Sequence, residues 1–201
     1  MRTSRYAQDH RQQLNQLDRR ILFKGLALAS GLYCFSSVHA RQTYSFLYLR
    51  LAYSRTYEDT MACHLFKTEP SQFSIDDLIT KGVSTWDGVA NAAALIHLRA
   101  CTIGDDVLIY HTGEEKAIVG LGRIESVPFE DPAQPGLNAK GEPKFAVVKV
   151  RGVVKAKTPV SLAYIKADAR FKDFPLVTQS RLSVMPVPAP LARILRTWAG
   201  L

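Results

Sequence analysis

Trp86, Asp87 and Asn91 stand within six residues of one another and bring the groups that a flat, hydrogen-bonding ligand requires. An indole offers a face for stacking. A carboxylate only accepts hydrogen bonds, while a carboxamide both donates and accepts them. Each residue also has a plainer reading. Trp is usually buried among core side chains, and Asn91, just ahead of an apolar run, suits a helix N-cap. Three other groups carry similar potential. Thr68, Glu69 and Pro70 leave the first patterned strand, where they form either a polar pocket floor or a strand-to-helix turn with a solvated Glu69. Tyr110, His111 and Thr112 close a second strand on polar groups, and a neutral His111 can bond a ligand or the backbone. Arg181, two residues before Ser183, can hold a phosphate through its planar fork or form an ion pair, for example with Asp87.

Other chemistries find little support. Cys34, Cys63 and Cys101 are an odd number at wide spacings, with no Cys-x-x-Cys pair and no His at zinc-ligand distance. Neither a disulfide framework nor a metal site is indicated, and Cys101 reads as a small buried apolar side chain. Gly120 and Gly122 give Gly-x-Gly inside a strand pattern, without the third glycine or following helix of a dinucleotide loop. Asp76-Asp77 opens a helix, where the macrodipole accounts for it, and Asp105-Asp106 borders a turn. With no activated nucleophile and no cofactor loop, the expectation is a non-enzymatic protein without a cofactor.

The elements that must position these residues are strands interrupted by short helices. Strands are predicted over residues 64–68, 106–112, 117–127, 145–157 and 181–187, with a short extended piece at 83–86. Ser74 with Asp77 three residues on is a capping box for a helix with Ile75, Leu78 and Ile79 on its apolar stripe, ended by Gly82. Helices are also predicted over residues 91–100, 161–167 with Ser161 as N-cap, and 191–198. Residues 128–144, rich in Pro and Gly, read as a loop. At Gly152 the alternation of its strand slips by one, which suggests a β-bulge that bends the strand around a small barrel. The fold class expected is α+β, around a curled sheet.

The formal net charge of +8 suggests a polyanionic partner, but its distribution weakens that inference. Residues 1–60 hold nine Lys/Arg against four Asp/Glu, and residues 61–201 hold seventeen against fourteen. The patterned part is only mildly basic, which suits reading a small target better than coating a phosphate backbone. Residues 25–38 are fourteen residues without a charge, and with the Arg19, Arg20 and Lys24 flank and the Val38-His39-Ala40 ending they look like a secretory signal peptide. The stretch is short for a membrane span. Met61 lies two residues before the first well-patterned strand, so the expectation is that translation starts there and that residues 1–60 are an irregular extension. A genuine signal or anchor, or a basic binding arm, are the other readings of that extension.

Six blocks appear in order over about 140 residues: Phe66-Lys67-Thr68-Glu69-Pro70, Trp86-Asp87-Gly88-Val89-x-Asn91, Gly104-Asp105 with Tyr110-His111-Thr112, Ile118-Val119-Gly120, Pro159-Val160-Ser161-Leu162, and Ser180-Arg181-Leu182-Ser183-Val184-x-Pro186-Val187. Together they resemble the EVE family over residues 63–201. The resemblance implies a PUA-like fold, a partly open β-barrel of about five to six strands with short helices at its rim, related in shape to the YTH readers of methylated adenine. It implies binding of modified bases in DNA or RNA. Many family members carry Arg after Trp-Asp-Gly-Val and an aromatic after the Asn, where this chain has Ala90 and Ala92, and a tryptophan common in the first strand is replaced by His64 or Leu65. These departures imply a smaller or less charged target, weaker affinity, or a pocket closed by other residues.

The expected function is therefore a module that takes a methylated or hydroxymethylated base of DNA or RNA into an aromatic-lined pocket. Removing a base from its stack costs a few kcal/mol, offset by stacking on an aromatic face and hydrogen bonds to the base edge. Trp86 is assigned the stacking face, Asn91 and Thr68 the edge, and His111 and Arg181 the sugar-phosphate. A small-molecule or protein-interaction module, and an enzyme acting on RNA or a nucleotide, are the alternatives. The domain is expected to be a cytoplasmic monomer with no membrane partner.

Overall fold

The computed structural model describes residues 61–201, so the expectations for residues 1–60 lie outside the described residues. β3 (Asp106–His111) is buried along its whole length. A continuous run such as Val107-Leu108-Ile109-Tyr110 is what a central strand covered on both faces requires. β1 (Cys63–Thr68) runs parallel to it, with Cys63 opposite Asp106 and Thr68 opposite His111. β7 (Val184–Val187) closes that side, antiparallel to β1. On the other side β4 (Ala117–Ile124), β6 (Ala146–Ser161) and β2 (Val83–Trp86) follow in antiparallel pairs, giving the order β2-β6-β4-β3-β1-β7. β5 (Phe129–Glu130) pairs with β6 off this path. The two ends of the order, β2 and β7, do not pair, so the sheet is a curled but open barrel in an α+β fold.

Among the described residues five helices pack at its rim: α1 (Ile75–Lys81), α2 (Ala92–Arg99), α3 (Leu162–Ala167), α4 (Pro175–Thr178) and α5 (Ala189–Ala199). The capping box forms, since Ser74 Oγ accepts from Asp77 N at 3.1 Å and Asp77 Oδ2 accepts from Ser74 N at 2.8 Å. Apart from shifts of up to three residues at element ends, such as β4 stopping at Ile124, four details differ from the expectation. β5 falls inside the Pro/Gly-rich loop, as a two-residue pairing too short to leave a pattern. β6 continues past Lys157 to Ser161, because pairing with β4 resumes at Ile118↔Val160 beyond a register shift that sets Pro159, which has no N–H to give, between paired stretches. The last strand begins at Val184, since Leu182 N bonds Gln179 O in a turn. Residues 169–178 hold a 3-10 turn and α4, both too short for a period to show.

Two glycines seat α1 on the sheet. A Cβ at Gly152 would lie 2.9 Å from the backbone N and Cα of Ile79, and one at Gly120 would lie 2.8 Å from the Ile75 side chain and the Val154 carbonyl. Gly152 N also donates to Gly82 O at 2.9 Å. A register shift does occur here, between Leu121↔Val154 and Gly122↔Gly152, but the glycine itself is required by the approach of the helix. Gly152→Ala is expected to lower unfolding free energy by about 1–3 kcal/mol, as overpacking does. Urea denaturation followed by circular dichroism checks this, and an unchanged midpoint would show that α1 is free to lift.

Candidate functional site

Held in this way, α1 and the turn before it form one wall of a cleft of about 470 Å³, with Gln72, Phe73 and Lys81 facing it. The exit of β1 supplies Lys67, Thr68 and Glu69, and the exit of β2 supplies Trp86, Asp87 and Gly88, with Ser84 and Thr85 beside them. Four of the predicted residues, Thr68, Glu69, Trp86 and Asp87, therefore meet in one cleft. Phe73, Lys67 and Lys81 were not among the predicted residues. Lys67 and Phe73 flank the Thr68-Glu69-Pro70 turn, a proximity that the sequence did contain.

Trp86 is only 6% exposed. Its ring lies 5.2 Å from that of Phe66 and meets Phe73 edge-on at 6.2 Å. The indole thus belongs to the core cluster while also lining the cleft. Phe73 is half-buried, with Lys81 Nζ 4.9 Å from its ring centroid.

Lys67 is anchored. Its Nζ donates to Ser180 O at 3.1 Å and lies 5.9 Å from the Tyr110 ring centroid. Burial lowers the Lys67 pKa and raises that of Tyr110, since each charged form loses water. Ser183 enters through its carbonyl, which accepts from Lys67 N at 2.8 Å.

The β1 exit is cross-braced. Thr68 Oγ1 donates to Phe73 O at 2.8 Å, and Thr112 Oγ1 lies 2.6 Å from Glu69 Oε2 and 3.2 Å from Thr68 O. Glu69 O accepts from both Gln72 N and Phe73 N at 2.9 Å, closing the turn that contains the half-buried Pro70. His111 Nε2 accepts from Ile75 N at 3.0 Å. A backbone N–H can only donate, so the ring proton sits on Nδ1, 2.6 Å from Glu115 Oε2. Both ring nitrogens are committed, and the histidine ties the end of β3 to the first turn of α1. Asn91 takes the N-cap position of α2, with Oδ1 accepting from Ala93 N and Ala94 N at 2.9 and 3.1 Å. Arg181 and Asp87 are exposed and form no ion pair with each other among the described residues. Ala90 and Ala92 are exposed as well, and His64 is buried away from the cleft, with Nε2 3.1 Å from Asp105 Oδ2.

Elsewhere, a second cleft of about 510 Å³ opens at the start of β1, between Cys63, His64 and Arg196 of α5, and contains none of the predicted residues. Burial pushes the Cys63 thiol up to about 11 and that of Cys101 to about 12, so both are protonated and inert near neutral pH. No group of three or more His, Cys, Asp or Glu among the described residues could hold a metal ion. No described helix is long and apolar enough to cross a membrane.

The EVE domain family model matches residues 62–197. Human thymocyte nuclear protein 1 is 30% identical over 151 residues, which cover 61% of this chain and 67% of that protein. The rat protein of the same name is 33% identical with the same coverage. Among solved structures, Rpa0253 from Rhodopseudomonas palustris superposes with a TM-score of 0.62 at 38% identity, covering 70% of this chain and 94% of that one. Human THYN1 protein in complex with 5-methylcytosine-containing DNA superposes with a TM-score of 0.61 at 28% identity, covering 68% of this chain and 97% of that one.

Proposed function

The chain belongs to the EVE domain family, and on that premise we propose that it is a non-enzymatic module that binds DNA by accepting a flipped, modified base into the cleft between β1 and β2. The observation that carries this reading is the combination in one cleft of an aromatic wall, Phe73 with Trp86 behind it, and hydrogen-bonding groups of both kinds. Lys67 donates, while Glu69 and Asp87 accept. A cytosine edge offers an amino donor beside ring-nitrogen and carbonyl acceptors, and such a lining can satisfy both. Phe73 is the stacking face in this arrangement, because Trp86 is enclosed by Phe66 and Phe73. Further support comes from the human relative bound to 5-methylcytosine-containing DNA. The full engagement of both His111 ring nitrogens supports the non-catalytic part, because that histidine is not left to act as a general base.

Fluorescence anisotropy with duplexes carrying one 5-methylcytosine, one 5-hydroxymethylcytosine or neither tests the proposal, with matched RNA as a further arm. Tighter binding to a modified DNA duplex is expected. Phe73→Ala should weaken that binding by roughly tenfold or more, the value of losing one base–aromatic stack. Equal affinity for modified and unmodified strands sinks the reading.

A further inference from the structure

Resting on that reading, we propose that Lys81 is the mobile cation of the cleft: it covers the Phe73 face while the site is empty and moves to a backbone phosphate of the nucleotide whose base takes its place. The two lysines of the cleft are held in different ways. Lys67 is half-buried, its ammonium bonded to the Ser180 carbonyl and set over Tyr110, so it is fixed. Lys81 is exposed at the last position of α1, with its Nζ over the Phe73 ring at 4.9 Å. Asp77, one turn back, is bonded to Ser74 through one carboxylate oxygen, Oδ2, which accepts from the backbone N and the hydroxyl at 2.8 and 2.7 Å. Asp76 on the same helix is taken by Lys155 at 2.8 Å. Asp77 attracts Lys81 electrostatically from one turn away, but among the described residues no ion pair closes on Lys81, so its ammonium is not clamped.

Phe73 lines the cleft, with its ring T-shaped to Trp86 at 6.2 Å and one face under the Lys81 ammonium. An entering base and the Lys81 ammonium compete for that face. Base stacking on an aromatic ring exceeds a cation–π contact at an exposed site, so the base displaces the lysine. The displaced group is a flexible four-carbon arm with a compact charge, rooted at the cleft mouth where the sugar-phosphate of a flipped nucleotide must pass. Asp87 on the opposite lip repels a phosphate, which leaves Lys81 as the exposed cation of the cleft lining to meet it.

The test measures binding of a duplex with one 5-methylcytosine at several salt concentrations. Loss of one phosphate contact on duplex DNA reduces the slope of log affinity against log salt by about 0.9. Lys81→Gln is expected to reduce the slope by that amount and to weaken binding roughly fivefold at about 0.1 M salt, while Lys81→Arg keeps the wild-type slope. With 5-methyl-2′-deoxycytidine, which has no phosphate, Lys81→Gln should bind as well as wild type or better, because the Phe73 face is then uncovered. An unchanged slope in Lys81→Gln overturns the proposal, as does weaker binding of the nucleoside. A wild type that binds modified and unmodified duplexes equally overturns the base-reading function instead, so the two failures are separate readouts.

Discussion

Trp86→Ala is expected to remove about 3–5 kcal/mol of folding stability, as Trp-to-Ala changes in cores do, and to lose DNA binding chiefly because the domain unfolds. The indole is 6% exposed and sits between Phe66, itself fully buried, and Phe73. Truncation would open a cavity where β1, β2 and the turn before α1 meet, and small domains hold only about 5–15 kcal/mol in total. Urea denaturation followed by far-ultraviolet circular dichroism reads the loss, since Trp198, the other tryptophan, would confuse fluorescence. A midpoint equal to wild type would show that Trp86 is a cleft residue and not a core one. The contrast with Phe73→Ala matters for any binding experiment. Phe73 is half-buried, so its removal costs less stability and leaves a folded protein on which affinity can be measured.

The parts of the fold that were legible in the sequence are those that short-range chemistry decides. Ser74 with Asp77, Asn91 before the Ala-rich run, and Ser161 before α3 all cap their helices through contacts two or three residues away. The apolar run of β3 announces a strand covered on both faces, whichever strands cover it. The site was less legible because its geometry is set across long separations. His111 is polar and closes a strand, which suits ligand contact, yet its partner is Ile75 N, thirty-six residues away. Whether Trp86 turns inward depends on Phe66 and Phe73, whose positions follow from the sheet order. The slip of pattern at Gly152 correctly marked an irregular strand, but not the helix backbone pressed against it. Lys81 ends a helix, where a basic residue is favoured by the macrodipole alone, so nothing local linked it to Phe73. Phe73 and Lys67 were within reach, as neighbours of a turn already singled out.

Asp106→Ala is expected to destabilise the domain by about 3 kcal/mol while leaving the cleft intact. Asp106, 5% exposed, begins β3 and accepts from two arginines. Arg123 reaches Oδ1 through Nε at 3.1 Å and a terminal nitrogen at 3.0 Å, and Arg196 of α5 binds Oδ2. Arg123 is half exposed and can return to water, but the Arg196 side chain is 22% exposed and its Nε is already buried without a partner. Without the carboxylate, a largely enclosed guanidinium loses its counterion, and removing one member of a buried pair costs about 3–5 kcal/mol. The exposed arginine places Asp106 at the low end of that range. The double variant Asp106→Ala/Arg196→Met tests the cause, because deleting both charges should recover part of the loss. Additive losses in urea would show that the carboxylate acts through something other than Arg196. Because β1 and β3 run parallel with Cys63 opposite Asp106 and Thr68 opposite His111, the cleft lies five strand positions away, roughly 17 Å at about 3.3 Å per residue. The folded fraction of Asp106→Ala should therefore bind modified DNA with wild-type affinity, and a loss of affinity there would mean that the two ends of the sheet are mechanically linked.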